Sequence, residues 1–246
     1  MTVATLRPDG DERCGNPPCR SVARTHVGLV RLINEDRLFD AAAAGVWAVV
    51  DGMGGHSGGD LAAQQIVDTL RGACARAPAA TAAVIHDALH EANGAIHARN
   101  RRLGTEAGAT AVAAVLADGR LEIAWAGDSR AYRIDAGRAE LLTHDHSVVQ
   151  QLVDAGLIDG EAAAGHPHAN IVTRALGIDP AVELDRVTAD ARRGRFLLCS
   201  DGLSRTLRDE DLVADLPLAA LADALIAGAL ARDGSDNISL ILIEIG

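Results

Sequence analysis

The chain has 246 residues, 48% of them hydrophobic but only 2% aromatic, and carries a formal charge of −11. Size scaling lets a chain of this length bury about 72% of its extended surface, so one domain can build a core without disulfide or metal staples. The acidic balance repels a phosphate backbone and the shortage of rings removes base stacking, which together exclude nucleic acid as a partner.

Four cysteines, Cys14, Cys19, Cys74 and Cys199, are too few and too scattered for a disulfide scaffold and indicate a reducing, cytoplasmic setting. The opening MTVATLRPDGDER lacks the apolar stretch of a signal peptide. The most apolar late stretch, Leu212 to Ala231, is interrupted by Asp215, Pro217 and Asp223, so no direct membrane insertion is expected.

In chain order, residues 1–20, with Pro8, Pro17 and Pro18, read as a flexible leader, and residues 21–246 as one domain without linker or repeat. Cys14 and Cys19 have no second Cys or His pair nearby and read as surface thiols rather than metal ligands. SVARTHVG and GVWAVVD read as strands, the second running into the glycine-rich loop DGMGGHSGG. Asp60–Arg76 and Ala82–Arg99 carry apolar residues at helical spacing, one buried stripe each.

Between Ala109 and Ile134, two apolar strands joined at Asp118–Gly119 and a third after Asp128 read as an antiparallel meander. A short helix near Val148–Ala155 lies in a His-, Asp- and Gly-rich stretch, and Ser147 to Asn170 is expected to act as a flap beside the ligand. GRFLLCSDG repeats the arrangement of an apolar strand ending at Asp–Gly. A helix through Leu218, Leu221, Leu225, Ile226 and Leu230 and a final strand, ISLILIEI, complete the chain. Antiparallel strands inside and helices outside make an α+β class.

Carboxylates recur at the ends of the apolar runs: Asp51 after WAVV, Asp128 after IAWAG, Asp201 after FLLCS, and Asp236 just before ISLILI. Any one of these is an ordinary turn former. Together they suggest a shared cation, because carboxylates rarely stay buried unpaired. Glu35 and Asp36 add two more acids, and the Gly52 carbonyl offers an uncharged oxygen. An all-oxygen set suits Mg²⁺ or Mn²⁺, and Asp51 is the simplest bridge between two ions about 3.5–4 Å apart.

Arg31, four residues before Glu35, can fork two phosphate oxygens, although an arginine taken alone is more commonly a surface or ion-pairing group. His56, among glycines, either donates a proton to a leaving oxygen or ties the loop. His144 with His146 and His166 with His168 read as structural or ligand-loop residues rather than metal pairs. DGMGGHSGG has neither the Lys-Ser/Thr of a P-loop nor GxGxxG spacing, and Ser200 lacks a GxSxG setting.

The stretches THVGLVRLINED, VVDGMGGHSGG, AGDSRAY, LTHDHSVVQQLVDAGLI, HPHANIVTRALG, LLCSDGL and GSDNISLI, in order across residues 25–241, resemble the metal-dependent protein Ser/Thr phosphatases of the 2C type (PPM family) in their compact bacterial form. The resemblance implies a four-layer α-β-β-α sandwich, two central antiparallel sheets flanked by helices, with a two-ion Mn²⁺ or Mg²⁺ centre at one end. It implies Asp51 as bridging ligand, Gly52 as carbonyl ligand, Asp201 and Asp236 as the remaining acids that touch the ions, and Glu35 and Asp36 as the acidic pair near the metal waters. A third, weaker ion would fall between Asp128 and Asp201, and Arg31 matches the phosphate-clamping arginine.

Two positions depart from the family. Relatives place His directly after the glycine of DG, where this chain has Met53, and many have Asp where it has His26. The implied reaction is hydrolysis of phosphoserine and phosphothreonine esters by metal-activated water, with Arg31, Asp51, Asp201 and Asp236 as catalytic residues. The implied partners are phosphorylated proteins, a Ser/Thr kinase and its substrates among them, met by a monomer. A metal-dependent small-molecule phosphatase and a noncatalytic phosphoprotein-binding module are the alternatives.

Overall fold

The computed structural model describes residues 17–54, 58–77, 79–135, 138–212 and 215–246. Among these the chain forms β1 (Cys19–His26), β2 (Arg37–Ala41), β3 (Val46–Met53), α1 (Gly59–Arg76), α2 (Ala82–Leu103), β4 (Gly108–Ala117), β5 (Arg120–Ala126), β6 (Arg130–Asp135) and β7 (Arg138–Leu141). It continues through α3 (Val148–Asp154), α4 (Gly160–Ala164), β8 (Asp185–Asp190), β9 (Gly194–Cys199), α5 (Asp201–Ser204), α6 (Asp209–Leu212), α7 (Leu218–Arg232) and β10 (Ile238–Ile245).

The strands build two antiparallel sheets, one ordered β1-β10-β9-β6-β7 and the other β2-β3-β4-β5-β8. Side chains alternate between the two faces of a strand, so a central strand apolar on both faces must be covered twice. In β3, Val46, Ala48 and Val50 pack with Ile66, Leu70 and Leu89 of α1 and α2, while Trp47 and Val49 face the other sheet. In β10, Ile241 and Ile243 join that inter-sheet core, while Leu240 and Leu242 pack with Leu221 and Leu225 of α7. Helices, sheet, sheet and helix are therefore the four layers expected from the family resemblance.

The meander expected over Ala109–Ile134 is corrected. β4 and β5 pair, but β6 pairs with β7 and β9 in the opposite sheet. The chain changes sheets at Gly127, whose φ of +117° is costly for a side-chain-bearing residue and whose added Cβ would lie 2.3 Å from Thr110 Cβ. Alternating apolar residues reveal a strand but not the sheet it joins. At the other boundary, β1 begins at Cys19 and pairs it with Ile245, so the sheet takes up the last two positions of the stretch read as a leader.

Cys14 lies outside the described residues. Cys19 is half-buried rather than a surface thiol: its Sγ donates to the Ala42 carbonyl, and burial raises its pKa. Among the described residues no helix is long and apolar enough to cross a membrane.

Phe196 is fully buried between the sheets. Phe196→Ala is expected to lower stability by about 3–5 kcal/mol through lost burial and a residual cavity, as read from chemical denaturation midpoints.

Candidate functional site

Strand register brings the acids together. Asp51 stands opposite Thr110 near the end of β3, and Asp128 occupies the β5–β6 crossing. Asp201 follows β9 and Asp236 precedes β10, and these two strands are hydrogen-bonded neighbours. All four reach the same end of the sandwich, where a cavity of about 220 Å³ is lined by Arg31, Glu35, Asp51, Gly52, Asp128, Asp201 and Asp236. A larger cavity of about 730 Å³, bordered by Arg20, Arg193 and Glu244, lies at the opposite sheet end and includes none of these acids.

Close backbone contacts hold the cavity wall. Gly28 has φ +84°, and a Cβ there would meet the Asp236 carbonyl at 2.2 Å, so the loop carrying Arg31 lies directly on the loop carrying Asp236. Asn237, which sequence reasoning did not single out, fastens the same contact. Its Oδ1 accepts from the Glu35 amide at 2.8 Å, and its Nδ2 donates to the Val27 and Ile33 carbonyls at 2.9 and 3.0 Å.

Asp36 does not line the cavity but lies buried behind it. Its Oδ2 accepts from Ser200 Oγ at 2.9 Å, and Ser200 Oγ in turn accepts from the Ser239 amide at 3.0 Å. Ser200 thus serves as a strut between β9 and β10.

The electrostatics are those of crowded like charges. Burial first, and then the charge of Asp201, pushes both Asp36 and Asp128 up to about 7. Asp51 rises well above the ordinary carboxylate range through burial and through Asp36, Asp201 and Asp128. Asp201 is also raised, mainly by burial, with Arg205 opposing. Asp36 Oδ1 and Asp201 Oδ1 are buried without a hydrogen bond. Asp201 lines the cavity, and an oxygen held there without a protein partner, among further acids, fits a hard divalent cation.

The acids ring the cavity rather than closing on one point: among the described residues no three Asp, Glu, His or Cys side chains are gathered closely enough to hold a metal ion as they stand. Two are held by arginines instead. Arg31 Nη2 donates to Asp236 Oδ2 at 2.8 Å, and Arg205 Nη2 donates to Asp201 Oδ2. Arg205 stands on the side facing Asp128, where the resemblance implies a third ion, so the side chains there do not fit that ion. Sequence reasoning missed Arg205, whose one signal is its position four residues after Asp201, one helical turn on.

The described histidines that the sequence drew attention to are each tied to neighbouring groups by hydrogen bonds. His146 Nδ1 accepts from the Gly127 amide at 3.1 Å, and its Nε2 faces Arg174 and Asp185. His144 pairs with Asp154 at 2.8 Å, and His166 Nδ1 accepts from the His168 amide at 3.1 Å. His26 Nδ1 accepts from the Gly28 amide at 2.9 Å, which ties the turn toward Arg31. His56 lies outside the described residues. Of the stretch expected as a flap, Asn170 reaches the cavity, together with Val172 just beyond it.

A family model described as Protein phosphatase 2C matches residues 29–237. The chain is 34% identical over 239 residues to the serine/threonine protein phosphatase PstP of Mycobacterium tuberculosis, a match covering 92% of this chain and 45% of that protein, so it spans about half that relative's length. It is 35% identical over 236 residues to the serine/threonine phosphatase stp of Listeria monocytogenes, with 90% of this chain and 94% of that one covered. A solved catalytic domain of the phosphatase PstP in complex with 2 manganese ions has a TM-score of 0.83 at 35% identity, covering 92% of this chain and 98% of that chain.

Without a cation, carboxyls raised from 3.8 to about 7 hold protons in the folded state that the unfolded chain releases at lower pH. Their contribution to stability is therefore present below the unfolded value and is lost as pH rises through about 7. A divalent cation displaces the same protons. The gap in melting temperature between manganese-loaded and EDTA-treated protein is accordingly expected to widen from about pH 5 to about pH 7 and to level off above, in thermal scans across that range.

Proposed function

Since the chain belongs to the protein phosphatase 2C family, we propose that it hydrolyses phosphoserine and phosphothreonine esters on proteins, opposing a Ser/Thr protein kinase. The observation that carries this reading is the single cavity in which Asp51, Asp201, Asp236 and Arg31 meet from four separate stretches of chain. In this reading Asp51, the Gly52 carbonyl, Asp201 and Asp236 hold two Mn²⁺ or Mg²⁺ ions, with Glu35 lining the cavity beside them. Bound there, such ions supply a hydroxide nucleophile at neutral pH and neutralise phosphoryl oxygens.

The chain's own residues do the rest. Arg31 is half-exposed and commits one nitrogen to Asp236, which leaves other N–H groups of its fork for the equatorial phosphoryl oxygens. Asp36 and Ser200 brace the wall from behind, and their hydrogen bonds keep the strand ends from spreading under like-charge repulsion. Among the described cavity residues Thr110 alone carries a hydroxyl, and it is hydrogen-bonded to Ser129 at 2.8 Å, an arrangement that favours water over a side-chain alcohol as nucleophile.

His56 serves in this reading either as the proton donor to the leaving oxygen or as a loop tie. The charge of the ions admits a dianionic phosphate to a protein of net charge −11. The protein acts as a cytoplasmic monomer on phosphorylated polypeptides.

Phosphopeptide hydrolysis is expected to stop in EDTA and return with Mn²⁺. Asp51→Asn should lower the Mn²⁺-supported rate by at least about a hundredfold while the circular dichroism spectrum stays native. Arg31→Ala should cost about 10- to 100-fold in kcat/KM, mostly through KM, the worth of a lost charged fork. Full turnover by the Asp51 variant, or turnover unaffected by EDTA, contradicts the assignment.

A further inference from the structure

We infer that the Arg205 guanidinium is a built-in cation that takes the place of a third metal ion between Asp128 and Asp201, so that the chain works with two divalent ions and one fixed positive charge. The inference rests on the two-ion reading of Asp51, Asp201 and Asp236 given above.

Three observations carry it. Arg205 follows Asp201 by one helical turn, so both side chains leave the same face, and the guanidinium donates to Asp201 Oδ2. The two oxygens of Asp201 are thereby divided: Oδ2 is taken by Arg205, while Oδ1 is buried and receives no hydrogen bond. Arg205 also lines both the 220 Å³ cavity and an adjoining one of about 310 Å³, and the residues common to the two are Asp128, Asn170, Asp201 and Arg205. The guanidinium thus stands in the shared wall with both acids.

A divalent ion between those acids needs carboxylate lone pairs turned toward it and no fixed positive group in the space it would fill. Arg205 removes both conditions, since a guanidinium is protonated at every physiological pH and presents N–H groups rather than lone pairs. Arg31 differs in its setting. It reaches Asp236 from a loop 205 residues away in sequence and is about half-exposed at 53%, against 30% for Arg205. Arg31 is free to turn toward a phosphate, whereas Arg205 is held in the wall. Arg205 is therefore a positioning residue: it holds a permanent positive charge on Asp201, beside Asp128, where a weakly held ion would sit only at high metal concentration.

The test is the number of Mn²⁺ ions bound per chain, counted by equilibrium dialysis and by electron paramagnetic resonance of free Mn²⁺, up to millimolar metal. Wild type is expected to bind two. Arg205→Ala and Arg205→Gln should each bind one more, Arg205→Lys should stay at two because it keeps the charge, and Arg205→Ala combined with Asp128→Asn should return to two. The Gln variant keeps N–H donors to Asp201 without the charge, which guards against loss of fold in the Ala variant. Three ions on wild type, or no extra ion on folded Arg205→Ala and Arg205→Gln, overturns the inference. Fewer than two on wild type overturns the two-ion reading beneath it, and the inference with it.

Discussion

Like charges gathered in a partly buried cavity repel one another, and the surrounding structure is organised by that repulsion. Two carboxylates about 4 Å apart in a protein-like medium cost about 4 kcal/mol, more than most single contacts return. Here the charge of Asp201 adds to burial in raising the proton affinity of Asp36, Asp51 and Asp128, and Arg31 and Arg205 each pair with one acid of the cavity. Such an arrangement persists only if the backbone is held more firmly than the side chains repel. The hydrophobic layers supply that hold, since Asp51, Asp128, Asp201 and Asp236 sit at the ends of, or just beyond, β3, β5, β9 and β10, whose apolar residues are buried.

Side-chain hydrogen bonds tie the loops at the site to the strands. Asn237 links Val27, Ile33 and Glu35 to the start of β10 with three hydrogen bonds, and Ser200 links β9, β10 and Asp36. Polar groups of this kind are satisfied within the protein, whereas Asp36 Oδ1 and Asp201 Oδ1 are buried acceptors without a hydrogen bond, and the second, in the cavity wall, is the kind of oxygen a cation takes. The proposed phosphatase chemistry and the proposed role of Arg205 both follow from how that excess negative charge is shared among ions, guanidinium groups and protons.

Much of this was legible in the sequence, for reasons that differ by element. The central strands β3, β4, β9 and β10 are buried on both faces and so appear as unbroken apolar runs, and the acids at their ends stand out by contrast. The strands β2, β7 and β8 lie at sheet edges and carry residues such as Arg37, Glu140 and Asp190, so their periodicity is diluted and they passed unnoticed. The sheet change at Gly127 turns on one positive φ that no apolar pattern records. Arg205 and Asn237 escaped because neither residue type signals a role until its partner is placed in space. Asp36, by contrast, was identified as an acid of the site, but its position behind the cavity, on Ser200, emerged only with the fold.

Divalent ions entering this ring of acids are what the proposed chemistry requires. The most direct measurement is anomalous X-ray scattering at the manganese edge from crystals of the protein grown with Mn²⁺. Two anomalous peaks bordered by Asp51, the Gly52 carbonyl, Asp201 and Asp236, with Arg205 still on Asp201, are the predicted result. No manganese at that end of the sandwich, in protein that is catalytically active, would contradict it.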